Sequence, residues 1–367
     1  MIVQTLALDF FRNYLHFEGA FSPGVNVIWG DNAQGKTNLL EGIAYLSTAS
    51  SHRARYDREL IRMGEDHSFI KAQILSRDRN FALEARLHRG ARRQLLSNGV
   101  RLKTAGELAG VLNTVLFCPE DLWLIREGAA VRRKFLDSCI CQLRPRYAEA
   151  LAEYRRLYEH KTRILRDWEE HPSLLDTLEE FNLRMAQTGA VLIHYRAHFI
   201  KRLREVTPPI HRDFSGGREE LGLRYQTVST IDDPLAPTRT LLEQLLDHQQ
   251  SHRKAELEAR QCLSGPHKDD LTVELDGVSA KTFASQGQTR TAALSLKLAS
   301  REIFFQETGE WPVLLLDDVL SELDHKRQEF VLNRINGGQV FITCCEPMDP
   351  GRLGDGKTFH IHSGALV

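Results

Sequence analysis

Apolar and polar positions alternate from the first residues. Ile2, Leu6, Leu8, Phe10 and Phe11, then Tyr14, Leu15 and Phe17, predict two strands joined by a turn near Arg12-Asn13. Gly24-Val25-Asn26-Val27-Ile28-Trp29 predicts a short buried strand, and Asn38 to Leu46 a helix. Period-two patterning returns over 68–103, with paired strands at Phe69 to Leu75 and Phe81 to Leu87 and a hairpin turn at Asn98-Gly99. From Tyr147 the spacing turns helical: Tyr147, Leu151, Tyr154, Tyr158, Leu165 and Trp168, interrupted at Lys161. Beyond a turn at Glu170 to Ser173 the pattern resumes at Leu174, Leu178, Phe181, Met185, Leu192, Tyr195 and Phe199. These two seams predict an antiparallel helix hairpin of roughly 30–35 residues per helix, about 45–50 Å long, closed by Pro208-Pro209. Their aromatics read as core. Another helix is predicted from about Thr238 to Cys262, and Val313 to Leu316 is an apolar strand that ends in two acids.

The period changes near residue 120, and Ser264-Gly265-Pro266 marks a second break. The pattern therefore predicts an α/β lobe from residues 1–119 and 263–367, with a mixed sheet, helices and an antiparallel β unit. Residues 120–262 form a mostly helical inserted lobe.

Composition narrows the classes. A chain of 367 residues with 42% hydrophobic and 26% charged content holds a real core. A formal net charge of −1 removes any global basic signal and leaves local patches. Arg86, Arg89, Arg92 and Arg93 crowd the antiparallel unit. They are either a solvated edge or, at Arg89, Arg92 and Arg93, contacts to a DNA backbone. The polar stretch Ser47 to Arg55 is a plain loop or one that meets phosphate. No leader pattern and no membrane-length apolar run is seen, which predicts a cytoplasmic protein without a membrane partner. The six cysteines show neither C-x-x-C spacing nor a paired histidine cluster, and read as free thiols.

The chemistry concentrates in three places. Gly30-Asp31-Asn32-Ala33-Gln34-Gly35-Lys36-Thr37 fits the phosphate-loop pattern between a strand and a helix, where glycines let backbone N–H groups wrap a polyphosphate. Lys36 is placed on the β- and γ-phosphates of ATP and Thr37 on Mg²⁺. Asn38 extends the nucleotide contacts. Arg12 is either a solvated turn residue or a further contact near the nucleotide. Second, Asp317 and Asp318 close the apolar strand in the manner of a Walker B motif: Asp317 for Mg²⁺, Asp318 to polarise the attacking water. Lys36, Asp317 and Asp318 are thus the catalytic candidates. Third, Ser285-Gln286-Gly287-Gln288 resembles the S-G-G-Q signature of ATP-binding-cassette (ABC) ATPases and opens a helix. Ser321-Glu322-Leu323-Asp324, just after the Walker B acids, matches their D-loop. In the ABC architecture Ser285, Gly287 and Gln288 face the γ-phosphate held by a partner copy.

Taken together these stretches resemble the bacterial RecF family, ABC-type ATPases of the SMC/Rad50-like group. The resemblance covers essentially the whole chain. It also includes Phe10 to Tyr14, Ser51-His52-Arg53, Phe117 to Leu122, Arg132 to Asp137 and Gly265-Pro266-His267-Lys268-Asp269-Asp270-Leu271. It implies an ATP-dependent homodimer and binding to gapped DNA at single-strand/double-strand junctions. It further implies slow ATP hydrolysis, and work with RecR and RecO in placing RecA. Two departures stand out. The family usually has Arg at Lys268, and Thr343-Cys344-Cys345 stands where ABC transporters place a switch histidine. Three other classes fit less well. The long helical seams are unlike a transporter ATPase subunit, the hairpin is too short for an SMC-like tether, and no carboxylate cluster after Asp324 suggests a nuclease.

Overall fold

The computed structural model describes residues 1–323, 325–335, 337–347 and 356–367. The chain divides into two compact units, Met1–Leu122 with Ala293–Val367, and Trp123–Ala292. In chain order the first unit begins with β1 (Ile2–Phe11), β2 (Tyr14–Ala20), β3 (Val25–Trp29), α1 (Lys36–Thr48), β4 (His67–Ser76), β5 (Arg79–His88), β6 (Gln94–Ser97), β7 (Val100–Arg101) and β8 (Thr114–Phe117). The second holds α2 (Trp123–Arg126), α3 (Ala129–Leu143), α4 (Pro145–Asp167), α5 (Leu178–Ser215), β9 (Leu221–Gln226), α6 (Thr238–Ala259), β10 (Asp270–Leu275), β11 (Val278–Ser279) and α7 (Ala280–Phe283). Helix α8 (Gln286–Thr308) follows, and then, all in the first unit, β12 (Val313–Asp317), α9 (His325–Arg334), β13 (Val340–Cys344), β14 (Lys357–His362) and β15 (Ala365–Leu366).

Two sheets build the first unit. One is antiparallel, in the order β2-β1-β4-β5-β6-β7. Its predicted hairpin turn is present: Asn98 and Gly99 both have positive φ, 51° and 77°, as a tight two-residue turn requires. The other runs β15-β14-β3-β13-β12-β8, and from β14 to β8 its neighbours are parallel. Val27, Ile28, Leu314, Leu315 and Ile342 are fully buried in it, the continuous apolar character expected of a parallel sheet covered on both faces. Parallel strands put their C-terminal ends at one edge, so the loops after β3, β12 and β13 gather there.

The second unit is helical, with a small sheet β11-β10-β9. The predicted seams are core only in part: Tyr147, Leu151, Tyr154, Met185, Leu192 and Phe199 are buried, while Tyr158, Trp168, Leu174, Phe181 and Tyr195 are half-buried. Lys161, the polar interruption of the first seam, is fully buried 2.6 Å from Glu256 of α6.

Three expectations need correction. Pro208-Pro209 does not close the second helix, because α5 runs on to Ser215. The carbonyls that lose their N–H partners, those of Arg204 and Glu205, belong to exposed residues where water can serve them, while Ile210, His211 and Ser215 continue the buried stripe. The hairpin is also unequal, with helices of 23 and 38 residues. Finally, the chain rejoins the first unit at Ala293 rather than near residue 263. Residues 263–292 stay with the helices because β10 pairs along its whole length with β9. A buried ion pair, Arg196–Asp269, and a part-buried one, Arg132–Asp270, pin the start of β10.

Within that second unit the Gly-Pro-His-Lys-Asp-Asp stretch is scaffold. His267 Nδ1 accepts from Tyr154 Oη at 2.7 Å and its Nε2 donates to Cys262 O at 3.0 Å. Asp269, fully buried, receives Arg196 at 2.8 Å and the Tyr225 hydroxyl. Lys268 is exposed. All six cysteines are free thiols. Among the described residues no helix is long and apolar enough to cross a membrane.

Candidate nucleotide site

The loop between β3 and α1 is shaped by left-handed backbone. Gly30, Ala33 and Gly35 have φ of 149°, 63° and 117°. A Cβ on Gly30 would collide with the Ile361 carbonyl, and one on Gly35 would fall 2.7 Å from Asn13 Nδ2. The pattern's two glycines are therefore demanded by crowding as well as by φ.

The hairpin turn between β1 and β2 braces this loop. Asn13 Nδ2 donates to Gln34 O and Asn13 Oδ1 accepts from Asn38 Nδ2, each at 2.8 Å. Tyr14 Oη donates to Gly35 O at 3.0 Å. Arg12, the neighbouring turn residue, takes the other direction. Its Nε and Nη2 bind both oxygens of Glu41 at 2.9 and 2.8 Å, and Nη1 donates to Glu59 O. Glu41 is fully buried. Burial works to raise its pKa, but hydrogen bonds from Arg12 and Ser51 outweigh that and hold it below the ordinary value. The structure gives Arg12 an ion pair on α1; the loop contact falls to Asn13.

Lys36 is buried, and its ammonium donates to Gly30 O at 2.6 Å and Asp31 O at 2.8 Å. Among the described residues it has carbonyl partners and no carboxylate, so its charge is available to an anion. Asp31, Asn32 and Ala33 are exposed. Thr37 Oγ1 donates to Asp317 Oδ1 at 2.8 Å. Asp317 is 5% exposed, and burial, against the hydrogen bonds from Thr37 and Thr343, raises its pKa. A buried carboxylate and a hydroxyl meeting at a phosphate loop are the hard oxygen donors that suit Mg²⁺. The residues present thus fit both ATP and its metal.

Asp318 follows in left-handed backbone, φ 51°. Its N–H donates to Thr343 Oγ1 at 2.9 Å, and Ser321 Oγ lies 2.8 Å from its Oδ1. Ser321 belongs to the D-loop match, whose last residue, Asp324, lies outside the described residues. Thr343, which pattern reading left without a firm role, also touches Asp317 Oδ1 at 2.8 Å. Cys345 Sγ donates to Asn32 Oδ1 at 3.3 Å, while burial pushes the Cys344 thiol up to about 11. Arg53 reaches Asn38 Oδ1 at 3.2 Å. Arg53 of the Ser51-His52-Arg53 stretch thus touches the first turn of α1, just past Thr37.

In the second unit the signature segment is a capping box. Ser285 N–H donates to Gln288 Oε1 at 2.8 Å and Gln288 N–H to Ser285 Oγ at 3.2 Å. Ser285 is exposed and Gly287 and Gln288 partly so, at the start of α8.

The arginine cluster divides. Arg93 pairs with Asp57 at 3.1 Å and Arg89 Nε donates to Glu65 O at 2.7 Å, while Arg92 is exposed. Beside Asp57, Tyr56 is an exposed ring with the guanidinium groups of Arg55 and Arg58 at 5.3 and 4.8 Å from its centroid.

Residues 2–348 match the family model described as the RecF/RecN/SMC N terminal domain. The chain is similar to the DNA replication and repair protein RecF of Agathobacter rectalis, 39% identical over 369 residues, covering 100% of this chain and 99% of that one. Among solved structures it is similar to the recombination mediator protein RecF with ATP, in the RecFOR pathway: TM-score 0.90, 33% identity, 100% of this chain and 96% of that one. A likeness to the Smc head domain of Pyrococcus furiosus, TM-score 0.55 at 16% identity over 99% and 94% of the two chains, extends to the fold alone.

Proposed function

The chain belongs to the RecF family of DNA replication and repair proteins, ABC-type ATPases, and from that premise we propose that ATP hydrolysis here times the life of a DNA-bound dimer. The observation that carries the reading is the meeting of Lys36, Thr37 and Asp317 at one sheet edge, while the exposed Ser285 signature belongs to the other compact unit.

In this reading ATP binds one copy through the loop amides, Lys36 and Thr37. Ser285, Gly287 and Gln288 of a second copy close over the γ-phosphate, where a helix start favours an anion. The dimer is isologous and holds two nucleotides. Because those contacts exist only when closed, ATP shifts the monomer–dimer balance. Mg²⁺, held by Thr37 and Asp317, would supply charge neutralisation at the phosphates when bound. Asp318 takes the role of orienting and polarising the attacking water, and hydrolysis removes the shared γ-phosphate and opens the clamp.

The finer functional picture is a cytoplasmic dimer on gapped DNA at single-strand/double-strand junctions, assisting RecR and RecO in loading RecA. The exposed Arg92, and Arg55 and Arg58 around Tyr56, support a nucleic-acid face. Sedimentation of wild type and Lys36→Met, with and without ATP, on a gapped duplex tests the reading. ATP is expected to double the mass of wild type and strengthen its DNA binding, and to do neither for Lys36→Met. Wild type that stays monomeric with ATP and gapped DNA overturns it.

A further inference from the structure

Thr343 is the penultimate residue of β13, between the two strands that deliver the chemistry, in register with Asp317 on one side and Ile28 on the other. It is 2% exposed. A hydroxyl has one proton to give, and the Asp318 N–H can only donate. Oγ1 therefore accepts from Asp318 N at 2.9 Å and gives its proton to Asp317 Oδ1 at 2.8 Å, the nearer acceptor, rather than to Leu316 O at 3.5 Å. Thr37 Oγ1 donates to that same oxygen. Two hydroxyls, one from helix α1 and one from strand β13, thus converge on one oxygen of the Asp317 carboxylate. The bond from Asp318 N–H holds the left-handed turn, φ 51°, that aims the second acid.

We propose that Thr343 is the positioning residue of the Walker B pair, setting the rotamer of Asp317 and the backbone turn at Asp318 through one hydroxyl. This rests on the reading of the site as one for ATP and Mg²⁺. The competing role is a β-branched filler of a buried strand. The two roles rank substitutions in opposite order. Valine keeps the shape and loses the hydroxyl, leaving a buried N–H without its acceptor. Serine keeps the hydroxyl and loses the methyl. A filler favours valine; a positioning residue favours serine.

The test compares wild type, Thr343→Ser, Thr343→Val and Thr343→Cys. It measures kcat and KM for ATP, and also Mn²⁺ affinity in the presence of ATP by paramagnetic resonance. Binding of a fluorescent ATP analogue without metal and thermal melts serve as controls. Thr343→Ser is expected within about threefold of wild type. Thr343→Val is expected to lose about tenfold or more in both kcat and Mn²⁺ affinity, as removal of a group behind a metal ligand does, with metal-free nucleotide binding unchanged. If Thr343→Val does not fold, the order of Ser over Cys decides, since a thiol is a poor stand-in for the hydroxyl. Valine or cysteine matching serine in kcat and Mn²⁺ affinity overturns the inference. A wild type that binds no Mn²⁺ with ATP overturns the site reading itself, and the inference with it.

Discussion

Thr37 Oγ1 donates to Asp317 Oδ1 across 2.8 Å, joining the residue after the phosphate-loop lysine to the last residue of β12, far along the chain. The contact puts the Asp317 carboxylate within hydrogen-bond distance of the loop's hydroxyl. Asp317→Asn keeps the volume and the capacity to accept from Thr37 while removing the charge. Its kcat is expected to fall by about 100-fold, with nucleotide binding in the absence of metal within about threefold of wild type. Phosphate release and titration with a fluorescent ATP analogue read the two quantities. Unchanged turnover would remove Asp317 from the site.

Ser285 carries two separable burdens. Its side chain caps α8 against Gln288, and its exposed position suits contact with a nucleotide held by another copy. The cap contributes about 1 kcal/mol, a small fraction of a domain's stability. Ser285→Arg is therefore expected to lower the melting temperature by only a few degrees and leave ATP binding by the monomer intact, yet to abolish ATP-dependent dimerisation. Light scattering decides: a full ATP-dependent dimer of Ser285→Arg would sink the role in trans.

The parts of the site legible in sequence were those written in local pattern. A strand, two glycines, a lysine and a helix start fix the phosphate loop, and an apolar run ending in acids fixes β12. Less legible was whatever depends on direction or on a distant partner. Arg12 and Asn13 share one turn, but the left-handed backbone at Arg12, φ 54°, sends the two side chains apart. Asn13 meets the loop and Arg12 meets Glu41. Residues 263–292 looked like the returning lobe because the partner of β10 is β9, about fifty residues earlier. Two prolines looked like a helix end because propensity is local, while the buried stripe through Ile210 and His211 is tertiary.

The arginine cluster gives a prediction sharper than its sequence did. Arg93 is engaged by Asp57 and Tyr45, so its loss should act through local stability. Arg92 is exposed, and Arg89 uses Nε on a carbonyl while its remaining donors can still face phosphate. Arg89→Ala/Arg92→Ala is expected to weaken DNA binding uniformly across sequences and flatten the log–log salt slope by about 1 to 2. Arg93→Ala should leave the slope in place and lower the melting temperature. Binding isotherms at several salt concentrations check both. A double variant with unchanged affinity and slope would show that DNA lies elsewhere.

His267 sets an acid limit on the second unit. Burial is the main reason its pKa is lowered from 6.5 to about 4; the hydrogen bond to Cys262 O opposes that shift, and the fields of Lys268, Lys161 and Arg133 add to it. The unfolded chain titrates near 6.5, so between the two values it binds more protons than the folded one. Stability therefore rises with pH through this window. It is fully present above about 6.5 and falls as the pH drops toward 4. At pH 5 the loss from this one group is about 2 kcal/mol. His52, lowered to about 4 mainly by burial, acts with the same sign in the first unit. His267→Gln removes one titration while leaving an amide that can accept from Tyr154 and donate to the Cys262 carbonyl. Urea unfolding at pH 7.5 and 5.0 is expected to show a smaller drop for His267→Gln than for wild type, by about 2 kcal/mol. Equal drops in the two proteins would mean that His267 takes up its proton as readily folded as unfolded.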